Sequence, residues 1–440
     1  MDLYIYLIIY IALLFLLVFW VRKKENSEDF LISGRNRSTL QIGLSKFAGT
    51  VGVGFFVAYT GYAYKFGLGI FAILAGLLIG YVFFLYWGIP RFYLKSRENR
   101  FYTQGDYVEH ATGSRLSRGI SDIMSIAIQF SWLMVNLIGG GKIISHLGLL
   151  SYEGAVIITG LVIATYIFLA GFRAVILTDV FQSIIIICLL VFLSLFIIKD
   201  TNVLGLFSLE TSHISFADLV GFLFYGALSF FALADRYQLI YAAKDEKTAK
   251  NGLFLAIAPI ALVSVFILIV GLFIFSQNPN LDPDIVFLKA ISDFLPASLI
   301  PVALVMFFGG LMSSADTHVY AVSSQYSFFR RKDNSIEHIR KVTIFVVLLA
   351  TLLALVFNNI IDTAILGAIL TMSLAIPMIY IVYGGRESKI FITTSIFSFV
   401  GVLIGVSLFG IVPATTLAPV LTGCIGLLFA KVCLQRVNSI

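Results

Sequence analysis

The sequence predicts an all-α integral membrane protein. Hydrophobic residues make up 59% of the 440-residue chain and charged residues only 12%, whereas about 25% of the residues in an ordinary soluble domain are charged. Apolar runs such as 3–21 and 174–198 reach the roughly 20 residues that a helix needs to cross the hydrocarbon core of a bilayer. Lipid, rather than water, is therefore the main solvent of this chain.

We predict about 13 transmembrane helices in a single membrane domain that comprises residues 1–440. The first apolar segment follows Asp2 and precedes three basic residues, which is the reverse of a secretory signal peptide, so we expect it to stay as an additional N-terminal helix. The predicted segments are 3–22, 40–64, 67–92, 117–145, 151–170, 173–198, 213–242, 251–276, 296–329, 340–358, 360–384, 389–410 and 413–433.

The distribution of basic residues predicts the orientation of these helices. If the N-terminus is outside, 24 of the 30 Lys and Arg residues fall in cytoplasmic loops or the C-terminal tail and only 4 fall in outer loops. We therefore predict a multi-pass protein of the plasma or inner membrane with a cytoplasmic C-terminus. Because these residues lie in short loops and not on one face, the net charge of +6 does not indicate binding of nucleic acid.

Two segments contain glycine where a helix would be weakened. The stretch 48–54 (AGTVGVG) has three glycines within its last six residues, and it predicts either a helix break that exposes backbone carbonyls or close helix packing. Five segments later, 222–229 (FLFYGALS) combines glycine with polar residues. Interruptions five helices apart are typical of an inverted repeat, so we predict repeats at 40–198 and 213–384, followed by two helices at 389–433.

The ninth segment has the densest group of polar residues. Helix geometry places Gly310, Ser313, Asp316 and Thr317 on one face, with Ser314 beside them. Hydroxyl, carboxylate and carbonyl oxygens are the hard ligands that an alkali cation needs, so this face predicts a cation site.

Other ionisable residues within the segments are also candidates for function, because they are costly in hydrocarbon. Asp179 either contributes to a cation site or forms a salt bridge with Arg173 or a neighbouring basic loop. For Lys46 we predict a side chain that extends to the cytoplasmic interface, and for Asp235 and Arg236 an interfacial ion pair. Nucleotide-binding loops, zinc-ligand spacings and catalytic carboxylate pairs are not visible, so an enzyme is not predicted.

Several motifs resemble those of the sodium:solute symporter family, whose members share the LeuT-type fold of two inverted five-helix repeats. They occur in the order and spacing of the family and extend from about residue 28 to 330. The motifs are 28–35 (EDFLISGR), 47–61 (FAGTVGVGFFVAYTG), 171–182 (GFRAVILTDVFQ), 235–245 (DRYQLIYAAKD) and 313–323 (SSADTHVYAVS).

The resemblance implies a co-transported sodium ion and assigns ligands to it. The first site would consist of the backbone carbonyls of Ala48, Val51 and Gly310 and the hydroxyls of Ser313 and Ser314. A second cation site, one turn farther inward, would consist of Asp179, Ser313, Asp316 and Thr317. A small neutral residue is more usual in the family at the position of Asp316.

The resemblance also implies that a small polar organic solute binds in the middle of the membrane. The predicted function is a secondary active transporter that couples inward sodium movement to uptake of this solute by alternating access. The alternatives are a membrane-embedded solute sensor and a proton-coupled symporter, the latter because of Asp316 and Lys46. Candidate solute-binding residues, chosen as polar or aromatic residues near predicted breaks, are Thr50, Phe55, Tyr225, Ser229, Thr371 and Ser373.

Overall fold

The computed structural model describes residues 3–22, 27–146, 148, 150–200, 203–209, 214–331 and 336–438. Within these residues the fold is built from helices, which confirms the predicted all-α class. The α-helices are α1 (Leu3–Arg22), α2 (Ser27–Ile32), α3 (Thr39–Thr50), α4 (Thr60–Phe66), α5 (Phe71–Phe83), α6 (Ile89–Glu98), α7 (Gln104–Thr112), α8 (Arg115–His146), α9 (Tyr152–Leu169), α10 (Phe172–Asp200), α11 (Val203–Leu206), α12 (Phe216–Ala232), α13 (Ala234–Ala242), α14 (Glu246–Gln277), α15 (Val286–Phe294), α16 (Ile300–Arg331), α17 (Ile336–Val356), α18 (Ile360–Val382), α19 (Ser388–Phe409) and α20 (Leu417–Asn438). Shorter pieces are π-helices at Gly54–Tyr59 and Phe84–Gly88 and 3₁₀ helices at Ser33–Arg35, Gly67–Ile70, Pro283–Ile285 and Pro413–Thr416.

The described residues contain nine helical stretches that are long and apolar enough to span a membrane, or ten if α12 and α13 together form one bent span. One of the nine is the 45-residue stretch Gly54–Glu98, where two segments were predicted. Gly67, at a φ of +54°, interrupts that stretch at the predicted boundary. The total of 13 spans therefore stays a prediction.

Three helices form the centre of the bundle. In the most apolar part of α8, α16 and α18, between 72% and 78% of the residues are buried, whereas only 28% are buried in α20. The N-terminal helix α1 packs on the outside of this centre, where the Tyr10 hydroxyl accepts a hydrogen bond from Gln182 of α10 (3.0 Å) and its ring meets Phe308 of α16 edge to face. Residues that function in the interior should thus lie on α8, α16 and α18 and on the helices that pack against them.

The predicted glycine-rich interruption at 48–54 is a break in the helix. α3 ends at Thr50, Val51 has a non-helical backbone (φ −93°, ψ 63°), and helical structure resumes as a π-helix at Gly54. Close packing occurs at the same place, because a Cβ atom on Gly52 would lie 1.7 Å from the Ser314 hydroxyl oxygen. Both interpretations of the sequence therefore hold for this segment.

The second interruption lies farther along the chain than the sequence predicted. α12 is continuous through 222–229 and ends at Ala232, and the chain bends by 46° before α13. Gly226 serves packing, because a Cβ atom there would lie 2.3 Å from the carbonyl oxygen of Ile73 on α5. The prediction of a break at Gly226 is wrong for this reason, although the span is broken.

A short segment between α2 and α3 ties together the ends of several helices on the side that is predicted to be cytoplasmic. The backbone N–H of Arg37 donates to the carbonyl of Ala242 (3.0 Å), and the N–H of Lys244 donates to the carbonyl of Arg37 (3.1 Å). The Arg97 guanidinium donates to the carbonyls of Arg35 (2.8 Å) and Ala243 (2.6 Å). The start of α3 and the end of α13 are thus held to α6 on this side.

Glu28 completes the connection to α2. Its carboxylate accepts hydrogen bonds from Arg35 (2.7 Å) and from the Tyr102 hydroxyl (2.7 Å). Burial acts to raise the pKa of Glu28, but the Tyr102 and Arg35 donors outweigh burial and hold this pKa below its usual value. The carboxylate is therefore in its charged form at neutral pH, as its bond with Arg35 requires.

Candidate functional site

The break after α3 lies against the polar face of α16. A Cβ atom on Gly310 would lie 3.5 Å from the carbonyl oxygen of Val51, and the Ser314 hydroxyl donates to the carbonyl of Gly49 at 3.4 Å. A Cβ atom on Gly52 would lie 3.0 Å from the carbonyl oxygen of Gly310. The break thus brings backbone carbonyls and a hydroxyl together in the interior of the protein.

Asp179 of α10 adds a carboxylate to this region. It is fully buried and accepts hydrogen bonds from Ser313 of α16 (2.6 Å) and from Ser45 of α3. Arg173 pairs with Asp29 instead (2.9 Å), so the alternative of a salt bridge between Asp179 and Arg173 is wrong. The carboxylate therefore joins three helices at the proposed cation sites.

The structure places the residues of the predicted first sodium site close together. Val51, Gly310 and Ser314 meet at the break, Ser313 bonds to the adjacent Asp179, and Ala48 is buried in the last turn of α3. These groups supply carbonyl and hydroxyl oxygens, which are the hard donors that suit an alkali cation.

Three of the four residues of the predicted second site are linked by hydrogen bonds, and the fourth bonds elsewhere. Ser313 bonds to Asp179, and the Thr317 hydroxyl donates to the Ser313 carbonyl (3.0 Å). Asp316, however, is joined to α9, because one of its oxygens accepts from the Tyr166 hydroxyl (3.2 Å). Its other oxygen, Oδ1, is buried without a hydrogen-bond partner among the described residues.

Lys46 takes part in an interior network and does not reach the membrane interface as predicted. The residue is 3% exposed and its Nζ lies 2.9 Å from Oδ2 of Asp235. Oδ1 of Asp235 accepts a hydrogen bond from the side-chain amide nitrogen of Gln129 at 3.5 Å. The side-chain oxygen of Gln129, Oε1, lies 2.6 Å from Nδ1 of His318. Lys46 and Asp235 are 189 residues apart in the chain, so the sequence gives no signal for this pair.

Arg236 does not pair with Asp235, so the prediction of an ion pair between these neighbours is wrong. The guanidinium carbon of Arg236 lies 4.0 Å from the centre of the Phe230 ring, and the residue is 5% exposed. Two of its nitrogens, Nε and Nη1, have no hydrogen-bond partner among the described residues. The side chain is therefore buried on an aromatic ring with part of its donor edge unused.

A cavity lies between the two broken helices, beside the polar face of α16. It encloses about 700 Å³ when its open mouth is included. The predicted solute-binding residues in its lining are Thr50, Phe55, Tyr225 and Ser229. The remaining two, Thr371 and Ser373, do not line it; both hydroxyls donate within α18, to the carbonyls of Gly367 (2.7 Å) and Leu370 (2.6 Å).

The lining also contains residues that were not among the predicted solute-binding residues, and of these, Trp132 and Asn136 were not singled out in the sequence at all. Trp132 and Asn136 of α8 contribute one face, and Lys46, Asp235 and Arg236 contribute charged groups. Trp132 and Asn136 are one helical turn apart, a spacing that is common in any membrane helix and therefore carries no signal by itself.

Five buried polar atoms around the cavity have no hydrogen-bond partner among the described residues. Thr50 Oγ1, Trp132 Nε1 and Asn136 Oδ1 are buried and have no hydrogen-bond partner among the described residues, in addition to the two Arg236 nitrogens. Since more than nine in ten buried polar groups in proteins are bonded, a polar ligand in the cavity would supply partners that these five atoms lack.

Comparison with known proteins agrees with this arrangement. A profile of the sodium:solute symporter family matches residues 30–376, which is most of the chain and includes both broken helices and α16. The chain belongs to the sodium:solute symporter family. The resemblance inferred from the motifs is thereby confirmed at the level of the family.

Sequence comparison also finds a relative of this chain among other symporters. The sodium/pantothenate symporter of Haemophilus influenzae is 28% identical over 182 residues. The match spans 40% of this chain and only 37% of the relative's length.

Solved structures of other transporters share the fold. A sodium-coupled sialic acid symporter in a substrate-bound, outward-open state has a TM-score of 0.76 at 16% identity, with 98% of each chain covered. A nucleobase-cation-symport-1 family transporter in a closed conformation has a TM-score of 0.66 at 12% identity, with 93% of this chain and 94% of that chain covered. At such identities the likeness concerns the fold alone, and it confirms the predicted LeuT-type class.

Proposed function

We propose that this sodium:solute symporter family member is a secondary active transporter that couples inward sodium movement to the uptake of a small polar organic solute. The observation that carries the proposal is the break after α3, where carbonyl oxygens face the hydroxyls of α16 beside the buried carboxylate of Asp179. A cation that binds there would join the two helices, and the solute cavity lies directly beside them. Binding of the two ligands would thereby be coupled.

The proposed first sodium site uses the carbonyls of Ala48, Val51 and Gly310 and the hydroxyls of Ser313 and Ser314. Donors from α3 and α16 are needed at the same time, so movement of one helix relative to the other would disassemble the site. The proposed second site uses Asp179, Ser313 and Thr317, with Asp316 reaching it if its bond to Tyr166 is exchanged. A passage of sodium from the first site towards Asp179 would lead it to the predicted cytoplasmic side.

The fold supports a division into two halves that move against each other. We propose that 40–198 and 213–384 form the two five-helix repeats, each beginning with a broken helix, and that 3–22 and 389–433 are additions around them. Alternating access would then open the cavity first to the outside and next to the cytoplasm. The relative named for pantothenate makes that solute a reasonable first compound to test.

A test in proteoliposomes separates the ion site from the rest of the protein. We expect an inward sodium gradient to drive uptake of the solute by the unmodified protein. Ser314→Ala and Asp179→Asn should each weaken sodium binding by about tenfold or more, because the first removes a ligand oxygen and the second removes a charge. Ser194→Ala and Asp293→Asn are matched controls, since Ser194 bonds only within its own helix and Asp293 forms an exposed pair with Lys289. Unchanged sodium dependence in both site variants would contradict the assignment.

Proton coupling is the second candidate, and the observation that favours it is the buried Oδ1 of Asp316, which has no hydrogen-bond partner among the described residues. A carboxyl group in such a position could carry a proton across the membrane. Uptake that follows an imposed pH gradient without sodium, and that Asp316→Asn abolishes, would support this candidate. Uptake that follows a sodium gradient with no pH gradient would exclude it.

A further inference from the structure

The charged groups of the cavity do not balance. Lys46, Asp235 and Arg236 are the Lys, Arg, Asp and Glu side chains in its lining within the described residues. Lys46 and Asp235 form a buried pair at 2.9 Å, so their charges cancel each other. Arg236 remains as a cation with no carboxylate bound to it, in a chain segment where an unpaired charge is costly.

The geometry around Arg236 leaves its donor edge available to a ligand. The guanidinium lies 4.0 Å from the centre of the Phe230 ring, and Phe230 is held in turn by Tyr81, whose ring centre is 4.0 Å away. Stacking on an aromatic face uses the flat side of the guanidinium and leaves the N–H groups at its edge. Since Nε and Nη1 are buried and without a partner among the described residues, this edge is set up for an acceptor that the protein itself does not supply.

The backbone at the bend favours negative charge at the same point. Arg236 lies in the first turn of α13, which begins directly after Leu233, a residue of the cavity wall. No side chain caps this helix start. The N–H groups of a first helical turn lack partners in the helix, and the helix dipole places partial positive charge there. Asp235 lies in the same turn and is bonded to Lys46, so Arg236 is the charged group of this turn that remains for a ligand.

The rest of the cavity would contact a less polar body. The rings of Trp132 and Tyr225 are stacked at 6.4 Å, and those of Phe55 and Tyr59 at 4.4 Å. No free carboxylate is available among the described lining residues for an ammonium group, because Asp235 is bonded to Lys46 and to Gln129. The amino group of a zwitterion would therefore lack a carboxylate partner in this cavity, which favours a solute without an ammonium group.

We infer that the solute is a small organic monocarboxylate, that its carboxylate is bound by the guanidinium edge of Arg236 at the start of α13, and that its apolar or aromatic body lies against Trp132, Tyr225 and Phe55. This inference specifies the substrate class of the transporter proposed above and rests on that proposal only for transport. Binding of the anion itself is a separate property.

Equilibrium binding to the purified protein in saturating sodium tests the inference. The probes are pairs in which a charged carboxylate is replaced by a neutral amide of similar shape: nicotinate with nicotinamide, phenylacetate with phenylacetamide, and propionate with propionamide. At least one acid should bind about 10 to 100 times more tightly than its amide, as expected for charge-assisted hydrogen bonds to a buried guanidinium. If no acid binds more tightly than its amide, the inference is overturned.

A second comparison tests the exclusion of zwitterions. Phenylalanine differs from 3-phenylpropionate only by its ammonium group, so 3-phenylpropionate should bind more tightly. Tighter binding of phenylalanine would overturn the assignment to monocarboxylates.

Variants of Arg236 connect the preference to this residue. Arg236→Gln should remove the preference for acid over amide, whereas Arg236→Lys should keep part of it, because the charge remains but the planar fork is lost. Arg115→Gln is the matched control, since Arg115 is 82% exposed on its side chain, and it should keep the full preference. Stabilisation of Arg236→Gln by sodium would show that the variant is folded. A preference for acid over amide that persists in the folded variant would contradict the assignment. If this variant does not fold, the acid and amide pairs on the unmodified protein decide the question.

Failure of this inference is distinguishable from failure of the proposed function. Acid-selective binding without sodium-driven flux would support the anion site and contradict transport. Sodium-driven uptake of a solute with equal binding of acid and amide would support transport and overturn the anion site.

Discussion

Two adjacent residues of α3 reach different parts of the site. Ser45 donates to Asp179, which belongs to the proposed cation region, while Lys46 pairs with Asp235 at the solute cavity. A displacement of α3 would change both contacts at once. At the scale of single residues, this turn of α3 therefore connects the two ligand sites.

The pair of Lys46 and Asp235 should be strongly coupled in stability. Removal of one partner leaves a buried charge without its counterion, so Lys46→Met and Asp235→Asn should each lower the free energy of unfolding by about 3–5 kcal/mol. The double variant should lose clearly less than the sum of the two, because the charge imbalance is relieved. Denaturant titration of the four proteins in one detergent measures this coupling.

The exposed pair of Lys289 and Asp293 provides the control for that cycle. Their side chains are 42% and 41% exposed, although they are also 2.9 Å apart, so Lys289→Met and Asp293→Asn should change stability by only about 0–1 kcal/mol. Strictly additive losses at Lys46 and Asp235 would show that the two charges do not depend on each other.

At this scale the sequence revealed only what is local along the chain. The polar face of α16 could be predicted because Gly310, Ser313 and Thr317 follow helical spacing. The partner of Lys46 could not be predicted, because Asp235 is distant in sequence and the cation next to Asp235 along the chain is Arg236. Arg236 was singled out as an ionisable residue, but its contact with Phe230 could not be predicted, because that contact depends on how the bent helix is folded.

At the scale of elements, the two broken helices differ in how their glycines act. The break after α3 contains Gly52, which permits the approach of Ser314, whereas α12 continues past Gly226 and breaks at Leu233. Glycine allows both a broken helix and a close helix contact. For this reason the presence of broken spans could be predicted from the sequence, but the position of the second break could not.

The contact of α5 with α12 provides a test of the packing role. Cβ atoms on Gly76 and Gly226 would lie 2.1 Å from the carbonyl oxygen of Leu223 and 2.3 Å from that of Ile73, respectively. Because backbone atoms cannot move aside as a flexible side chain can, Gly76→Ala and Gly226→Ala should each lower the free energy of unfolding by about 1–3 kcal/mol. Thermal unfolding in detergent measures the loss.

Gly154→Ala is the matched control for these variants. The nearest atom to a Cβ atom at Gly154 lies at 3.6 Å, an ordinary contact distance, and the residue is helical, so alanine should be neutral or slightly stabilising. Equal stability of Gly226→Ala and the unmodified protein would show that α5 and α12 are farther apart in the membrane than in this structure.

At the scale of the whole molecule, the apolar segments predicted the helices well because the bilayer sets their length. The predicted boundary between 64 and 67 coincides with Gly67, and the segment 389–410 with α19 (Ser388–Phe409). How the helices pack could not be predicted in this way. The central position of α8, α16 and α18 depends on contacts among distant segments, and the single sequence contains no record of those contacts.

The orientation of the molecule stays a prediction from its basic residues, and labelling with a membrane-impermeant maleimide tests it. In a background in which Cys188, Cys424 and Cys433 are replaced by alanine, Asn280→Cys should be labelled in intact cells, because the loop between α14 and α15 is predicted to lie outside. Arg386→Cys, between α18 and α19, should be labelled only after the cells are permeabilised. Both positions are exposed, so a difference between them reports on sidedness and not on burial. The reverse pattern would place the hydrogen bonds from Arg97 to Arg35 and Ala243 on the outer side. Sodium would then pass the proposed sites in the opposite direction.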